Sequence, residues 1–392
     1  MLHCSIESGT PFMTNTAVAP DHTPSRPVYD GRLGELYGIY LRHLALMVLT
    51  LGWSRFWGRT RLRRYLWNHF ALLGDRLEYR GRGRELFFGF VLALLVVAVW
   101  AGVVWLIWHF TLRHDPVPGL GLLSIFSYSL LLIAFPLSFV GQYAGLRYRL
   151  TRTRWRGIRF GLDGSAWRYG GLASVLTLAN AMTVQLLLPV VSMALARPRI
   201  GNARFGTQVV AFAGNAGDIY GRYIGYYFLI ILAWVVAIGV AAFAIGVTGS
   251  QLELEFEELL KVLSNPTPRV VLLLVLAGFA IYLVFGLLIL PVRCWWQAYL
   301  FRYLVSHTRA GNVLFASSIT TRQMWGFMVL NYLIVVLTLG LGWPWVTHRT
   351  LKLIASELWI YGAPDGAAIG QPPDRGPRFG EGLLDMFDVS GV

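Results

Sequence analysis

Charge is what this chain has least of. Only 14% of its 392 residues are Asp, Glu, Lys or Arg, against about 25% in a soluble chain, while 56% are hydrophobic and 14% aromatic. That shortage excludes an ordinary water-soluble domain. Lysine is nearly missing, since Lys261 and Lys352 are the only basic residues among 34 that are not arginine. Cysteine is scarce too: Cys4 in a polar tail and Cys294 at the end of an apolar run supply neither a disulfide framework nor zinc spacing. The eight histidines include no His-Glu-x-x-His and no pair spaced to present a metal. There is no Gly-x-Ser-x-Gly elbow and no phosphate-binding loop, and Gly81, Gly83 and Gly89 follow no strand that would make them a dinucleotide loop. The chain therefore reads as non-enzymatic and free of cofactors.

What is present is a set of uncharged runs. Residues 86 to 107, 119 to 146, 223 to 252 and 270 to 292 carry no charged side chain, and about 20 such residues suffice for a helix to cross about 30 Å of hydrocarbon. Arginines crowd the ends of these runs, giving a net charge of +14. Basic clusters interleaved with aromatics can bind nucleic acid, but their position at span ends points to a cytoplasmic membrane interface instead. No nucleic-acid partner is expected. The first 33 residues hold Pro11, Pro20, Pro24 and Pro27 without a continuous apolar stretch, which predicts a disordered tail and no cleavable signal peptide. Residues 363 to 392 read as a second disordered tail that ends in the apolar cluster Leu383, Leu384, Met386 and Phe387.

Internal similarity organises the rest. Leu-Thr-Leu recurs around Thr50, Thr177 and Thr338, and each threonine is followed 24 residues later by a glycine, Gly74, Gly201 or Gly362. Pro136 and Pro291 are each followed 11 residues later by Arg-Tyr, at Arg147-Tyr148 and Arg302-Tyr303. These markers divide the chain into a first copy over 34 to 169, a second over 170 to 324 and a truncated third over 325 to 362. The expected fold is all-α: a polytopic membrane bundle with a duplicated unit and four to seven transmembrane helices.

Several local runs carry a resemblance. Gly34-Glu35-Leu36-Tyr37-Gly38, the Leu-Thr-Leu-Gly run, Phe56-Trp57, Arg64-Tyr65-Leu66-Trp67-Asn68 and Glu85-Leu86 are similar to the YjgN-like family of bacterial inner-membrane proteins, a domain-of-unknown-function family. The resemblance implies a multi-pass inner-membrane protein and brings no activity with it. One position departs: seven residues before the threonine, where the family has asparagine, stand His43 and Gly170 in the first two copies, while the third keeps Asn331.

The positive-inside rule puts the arginine-rich ends of both apolar hairpins in the cytoplasm. The three Leu-Thr-Leu segments then either re-enter from that side or cross, for seven crossings in all. Arg55, Arg59, Arg63 and Arg64, with Arg147, Arg149, Arg152 and Arg154, form the candidate surface for anionic lipid headgroups. The polar residues Asn180, Gln185 and Asn331 lie within apolar runs, where such groups mark a transport pathway or act as interhelical glue. Two function classes follow: a membrane or envelope component that holds anionic lipid, or a small-solute transporter or channel built from repeats.

Overall fold

The structure is a computed structural model that describes residues 24–111, 118–251, 268–364 and 369–371. Most of both expected tails, the Leu383 to Phe387 cluster and the glutamate-rich residues 253 to 258 lie outside the described residues. The chain is not an all-α bundle. Its helices are α1 (Leu33–Leu49), α2 (Arg55–Asn68), α3 (Gly83–Thr111), α4 (Pro118–Arg152), α5 (Ala166–Met182), α6 (Leu188–Ile200), α7 (Ala216–Gln251), α8 (Pro268–Ser306), α9 (Thr321–Leu337) and α10 (Trp343–Glu357). Between them, among the described residues, run ten short strands, β1 (Val28–Tyr29), β2 (Phe70–Leu72), β3 (Asp75–Tyr79), β4 (Thr153–Trp155), β5 (Ile158–Leu162), β6 (Ala203–Phe205), β7 (Gln208–Phe212), β8 (Thr308–Ala310), β9 (Val313–Ser317) and β10 (Leu358–Tyr361).

The strands pair antiparallel in chain order, β1 to β10, as one sheet. Ser25, just before β1, bridges Ile360 of β10 through two reciprocal backbone hydrogen bonds of 3.0 and 2.9 Å, so the N-terminal segment joins both ends of the sheet and covers its edges. Among the described residues no strand exceeds five residues, and an isolated hairpin of that size is marginal in water. Closure through all ten strands is what makes them cooperative.

Each hairpin turns in two residues. Leu73-Gly74 and Arg156-Gly157 have positive φ at both positions, the type I′ signature, while Gly206 and Gly311 supply the single positive φ of a type II′ turn. An arginine near the end of the helix before the hairpin reaches across it to a carbonyl just ahead of the next helix. Arg64 donates to Gly81 at 3.4 Å, Arg147 to Gly164, Arg197 to Gly214 at 3.4 Å and Arg302 to Ile319, each pair separated by 17 residues. Lys352 stands as far ahead of Gly362 as Arg64 does of Gly74. These contacts hold the helices to the sheet at four of its corners.

Between the corners, long and short helical hairpins alternate. Among the described residues three stretches are long and apolar enough to cross a membrane: Gly83–Ile107 of α3, Phe126–Arg152 of α4 and Ala216–Gly239 of α7. This corrects the expectation of four to seven spans. The run from 270 to 292 lies in α8, most of whose side chains there are outside the described residues. The Leu-Thr-Leu helices have 13 to 17 residues, at most about 26 Å at ~1.5 Å per residue, short of the ~30 Å a span needs. They form three hairpins, α1–α2, α5–α6 and α9–α10, whose tips are exposed and apolar: Leu51 is 90% exposed, Met182 86% and Leu339 94%.

The tips share one turn. Thr50, Thr183 and Thr338 cap the first helix of each pair, and their hydroxyls bond back to Leu46, Ala179 and Ile334. Two residues of positive φ follow: Leu51-Gly52, Val184-Gln185 and Leu339-Gly340. Thr183, not Thr177, is therefore the counterpart of Thr50, and Gly201 is a helix C-cap with negative φ rather than a relative of Gly74. The turn geometry, which a tripeptide match cannot see, sets the register.

Below the sheet, Trp155, Phe205 and Ile369 form a buried cluster with Leu72, Ile158 and Phe160 around it. Ile369 belongs to a returning C-terminal segment, where the Gly370 N–H donates to the Thr207 hydroxyl at 3.2 Å and the Gln371 amide donates to the Gly157 carbonyl at 3.0 Å.

Candidate functional site

The eight arginines singled out by sequence fall into different environments. Arg63 is buried and donates to the Tyr79 hydroxyl at 3.5 Å. Arg64 and Arg147 are corner contacts to Gly81 and Gly164. Arg152 forms an ion pair with Glu85 at 2.9 Å, and Tyr148 donates to the same carboxylate at 3.0 Å. Arg154 lies on β4 opposite Glu78, and Arg149 lines an apolar chamber at the end of α4. Arg55 and Arg59 face a cleft between α1 and α2.

That cleft is built from the α1–α2 hairpin upward. Gly52 permits the tight tip. Gly58 lets the helices approach, because a Cβ there would overlap the His43 imidazole. The aromatic start of α2 docks on α3 through Phe56 against Phe87 and Phe90, with centroids at 5.9 and 5.2 Å, and Trp57 against Phe87 at 5.5 Å. The hairpin is thus fixed at its base while its tip protrudes.

His43, packed on Gly58, divides the cleft in two. On one side Arg42, Arg61, Ser54 and Trp57 surround a cavity of about 420 Å³. On the other, Arg55, Arg59, Tyr40 and Trp343 surround one of about 300 Å³. Four guanidiniums therefore converge on one hairpin. Burial first, and then Arg61, hold the His43 imidazole below its ordinary value, so it is neutral at pH 7. Guanidinium groups next to indole and phenol rings suit a bulky anion with an apolar body, since arginine grips phosphate oxygens in forked pairs.

Arg42, His43 and Arg61 were missed as site residues. The signal was available in the spacing: His43 and Arg61 stand as far from Thr50 as Asn331 and Arg349 stand from Thr338. In the third hairpin Arg349 donates to the Asn331 amide oxygen at 2.8 Å. In the first, a neutral imidazole replaces that acceptor and the arginine lines the cavity.

The three pathway residues do not share a site with these arginines. Asn331 is engaged by Arg349, Asn180 is buried in α5, and Gln185 sits at the α5–α6 tip with its carbonyl accepting from Tyr223. None of them lines either cavity.

Comparison with known proteins adds the family. The model of a family described as "Bacterial protein of unknown function (DUF898)" matches residues 24–386. The inner membrane protein YjgN of Salmonella typhimurium is 24% identical over 381 residues, which cover 90% of this chain and 92% of the relative. No solved structure matches.

Proposed function

The chain belongs to the DUF898 family of bacterial proteins, and from that premise we propose that it is a multi-pass inner-membrane component, non-enzymatic, that binds anionic lipid through the α1–α2 cleft. Its relative YjgN is an inner membrane protein by name. In this reading the apolar stretches of α3, α4 and α7 lie in the bilayer, the three short hairpins dip into it from the cytoplasmic side, and the sheet lies at the cytoplasmic surface. The exposed apolar tips at Leu51, Met182 and Leu339 support partial insertion, because exposed apolar surface of this extent is unfavourable in water. Duplication of a helical-hairpin and β-hairpin unit accounts for the repeated Thr-capped turn and the corner arginines.

The observation that carries the lipid reading is the convergence of Arg42, Arg55, Arg59 and Arg61 on aromatic-walled cavities beside one such tip. A basic residue near an anionic leaflet contributes about 1 kcal/mol, so four together retain a headgroup where one does not. Native mass spectrometry of protein extracted from mixed bilayers should find phosphatidylglycerol or cardiolipin enriched over phosphatidylethanolamine. The enrichment should fall when Arg55, Arg59 and Arg61 become glutamine. Equal retention in that folded variant would refute the site.

A further inference from the structure

Arg42 and Arg61 are unused by the fold. Neither makes a hydrogen bond or an ion pair with another described residue, whereas Arg64, Arg147, Arg197 and Arg302 each hold a corner of the sheet. The two line the cavity of about 420 Å³ together with Ser54, whose hydroxyl is buried and has no hydrogen-bond partner among the described residues. A buried hydroxyl in that state is destabilising unless something in the cavity accepts from it. No carboxylate is among the described residues that line the space, so two cations and an orphaned donor meet nothing of opposite sign.

Helix geometry makes this a site in its own right. At about 100° per residue, Ser54, Trp57 and Arg61 fall on one side of Gly58, where α2 touches His43, and Arg55, Arg59 and Leu62 fall on the other. The two cavities of the cleft are lined accordingly. They are opposite faces of the two-helix hairpin, and one phosphate cannot reach both. The apolar part of a ligand has its direction set by α1: Leu46 stands one turn beyond Arg42 towards the tip, is 40% exposed, and leads on to the exposed Leu49 and Leu51. At ~30 Å³ per water-sized group, the cavity holds a phosphate and the glycerol behind it.

We propose that the Arg42, Arg61 and Ser54 face selects a lipid whose phosphate is a terminal monoester, the class of phosphatidic acid, over phosphodiester lipids. This rests on the headgroup reading of the cleft and narrows it. A monoester carries about −1.5 to −2 charge at pH 7 and presents three terminal oxygens, against one charge and two such oxygens in a diester. Both guanidiniums can then grip oxygens in forked pairs while the Ser54 hydroxyl donates to the same group. In a diester the third oxygen carries a carbon substituent and is a poor acceptor.

The test is native mass spectrometry and equilibrium binding on the full chain in phosphatidylcholine nanodiscs doped with phosphatidic acid or with phosphatidylglycerol. At about pH 7.5 wild type should hold phosphatidic acid about fivefold more strongly, the scale of one extra charge beside basic side chains. The ratio should fall towards one at about pH 5, where the monoester keeps its second proton. Arg42→Gln with Arg61→Gln should remove the preference. Ser54→Ala should reduce it about threefold, and serves if the arginine pair fails to fold. Arg309→Gln, a charge lost from exposed β8, should alter neither lipid. Equal binding of the two lipids, both enriched over phosphatidylcholine, overturns the monoester proposal and leaves the headgroup reading standing, whereas enrichment of neither overturns both. A preference that survives in the folded double variant also overturns the proposal. Displacement of phosphatidic acid by equimolar glycerol 3-phosphate would assign the cavity to a soluble phosphate ester and overturn the lipid assignment.

Discussion

Arg147 is the sharpest place to test how the helices are held to the sheet. Its side chain is buried, with the residue only 8% exposed. It donates to the Gly164 carbonyl and lies with its guanidinium carbon 5.4 Å from the Tyr143 ring centroid. Gly164 has φ +93° and immediately precedes Ser165, whose hydroxyl caps α5 by accepting from Arg168 at 3.4 Å. Replacing Arg147 with methionine keeps most of the buried hydrocarbon stem but removes a charge-assisted hydrogen bond, typically ~1.5–3 kcal/mol, and leaves the carbonyl without that donor. A cation–π contribution of about 1 kcal/mol goes with it. Because these effects overlap, the expected destabilisation is ~2–4 kcal/mol, while Arg147→Lys, which keeps the charge but not the fork, should lose about half. Arg55→Gln on the cleft should stay within about 0.5 kcal/mol. Reversible denaturant unfolding in mixed micelles measures these differences, and hydrogen exchange at residues 164 to 170 localises them. An Arg147→Met protein as stable as wild type, with unchanged exchange at the start of α5, would refute the corner-contact reasoning.

Further outcomes follow from other parts of the fold. Single cysteines at Leu51 and Leu339 should resist a membrane-impermeant maleimide in intact and inverted vesicles alike, whereas one at Arg156 should react in inverted vesicles; rapid labelling at both tips would remove the insertion model. Because His43 is held below its ordinary pKa, it adds positive charge to the cleft at a lower pH than a free imidazole would. Phosphatidylglycerol retention should therefore be flat from pH 8 to 6.5 and rise on further acidification, and His43→Gln should abolish the rise. Ile369→Asp places a charge among Trp155 and Phe205, so the C-terminal segment should become cleavable by added protease at least tenfold faster, and an unchanged rate would show that this packing contributes little.

Much was legible from sequence. Uncharged runs of 20 or more residues assign a chain to the bilayer whatever it packs against, because hydrocarbon penalises every charge placed in it. Two of the three Leu-Thr-Leu markers, at Thr50 and Thr338, do end a helix, whereas Thr177 lies inside α5. The strands were not legible. Segments such as Phe70–Leu72 and Ile158–Leu162 are too short to display a two-residue period, and Leu73-Gly74 or Arg156-Gly157 reads as a generic turn until the flanking residues find partners.

The sequence by itself determined the solvent and the family, because the cost of placing charge in hydrocarbon and the likeness of short runs are both local properties. Tertiary structure decided the rest. Arg55, Arg63 and Arg147 are alike as letters beside aromatic span ends. Depth and partners separate them: Arg63 disappears against Tyr79, Arg147 closes a corner at Gly164, and Arg55 alone of the three faces an open cleft. A run of like charges carries no record of which guanidinium is desolvated. Only the closure of ten strands, from Ser25 to Ile360, assigns each one its neighbours.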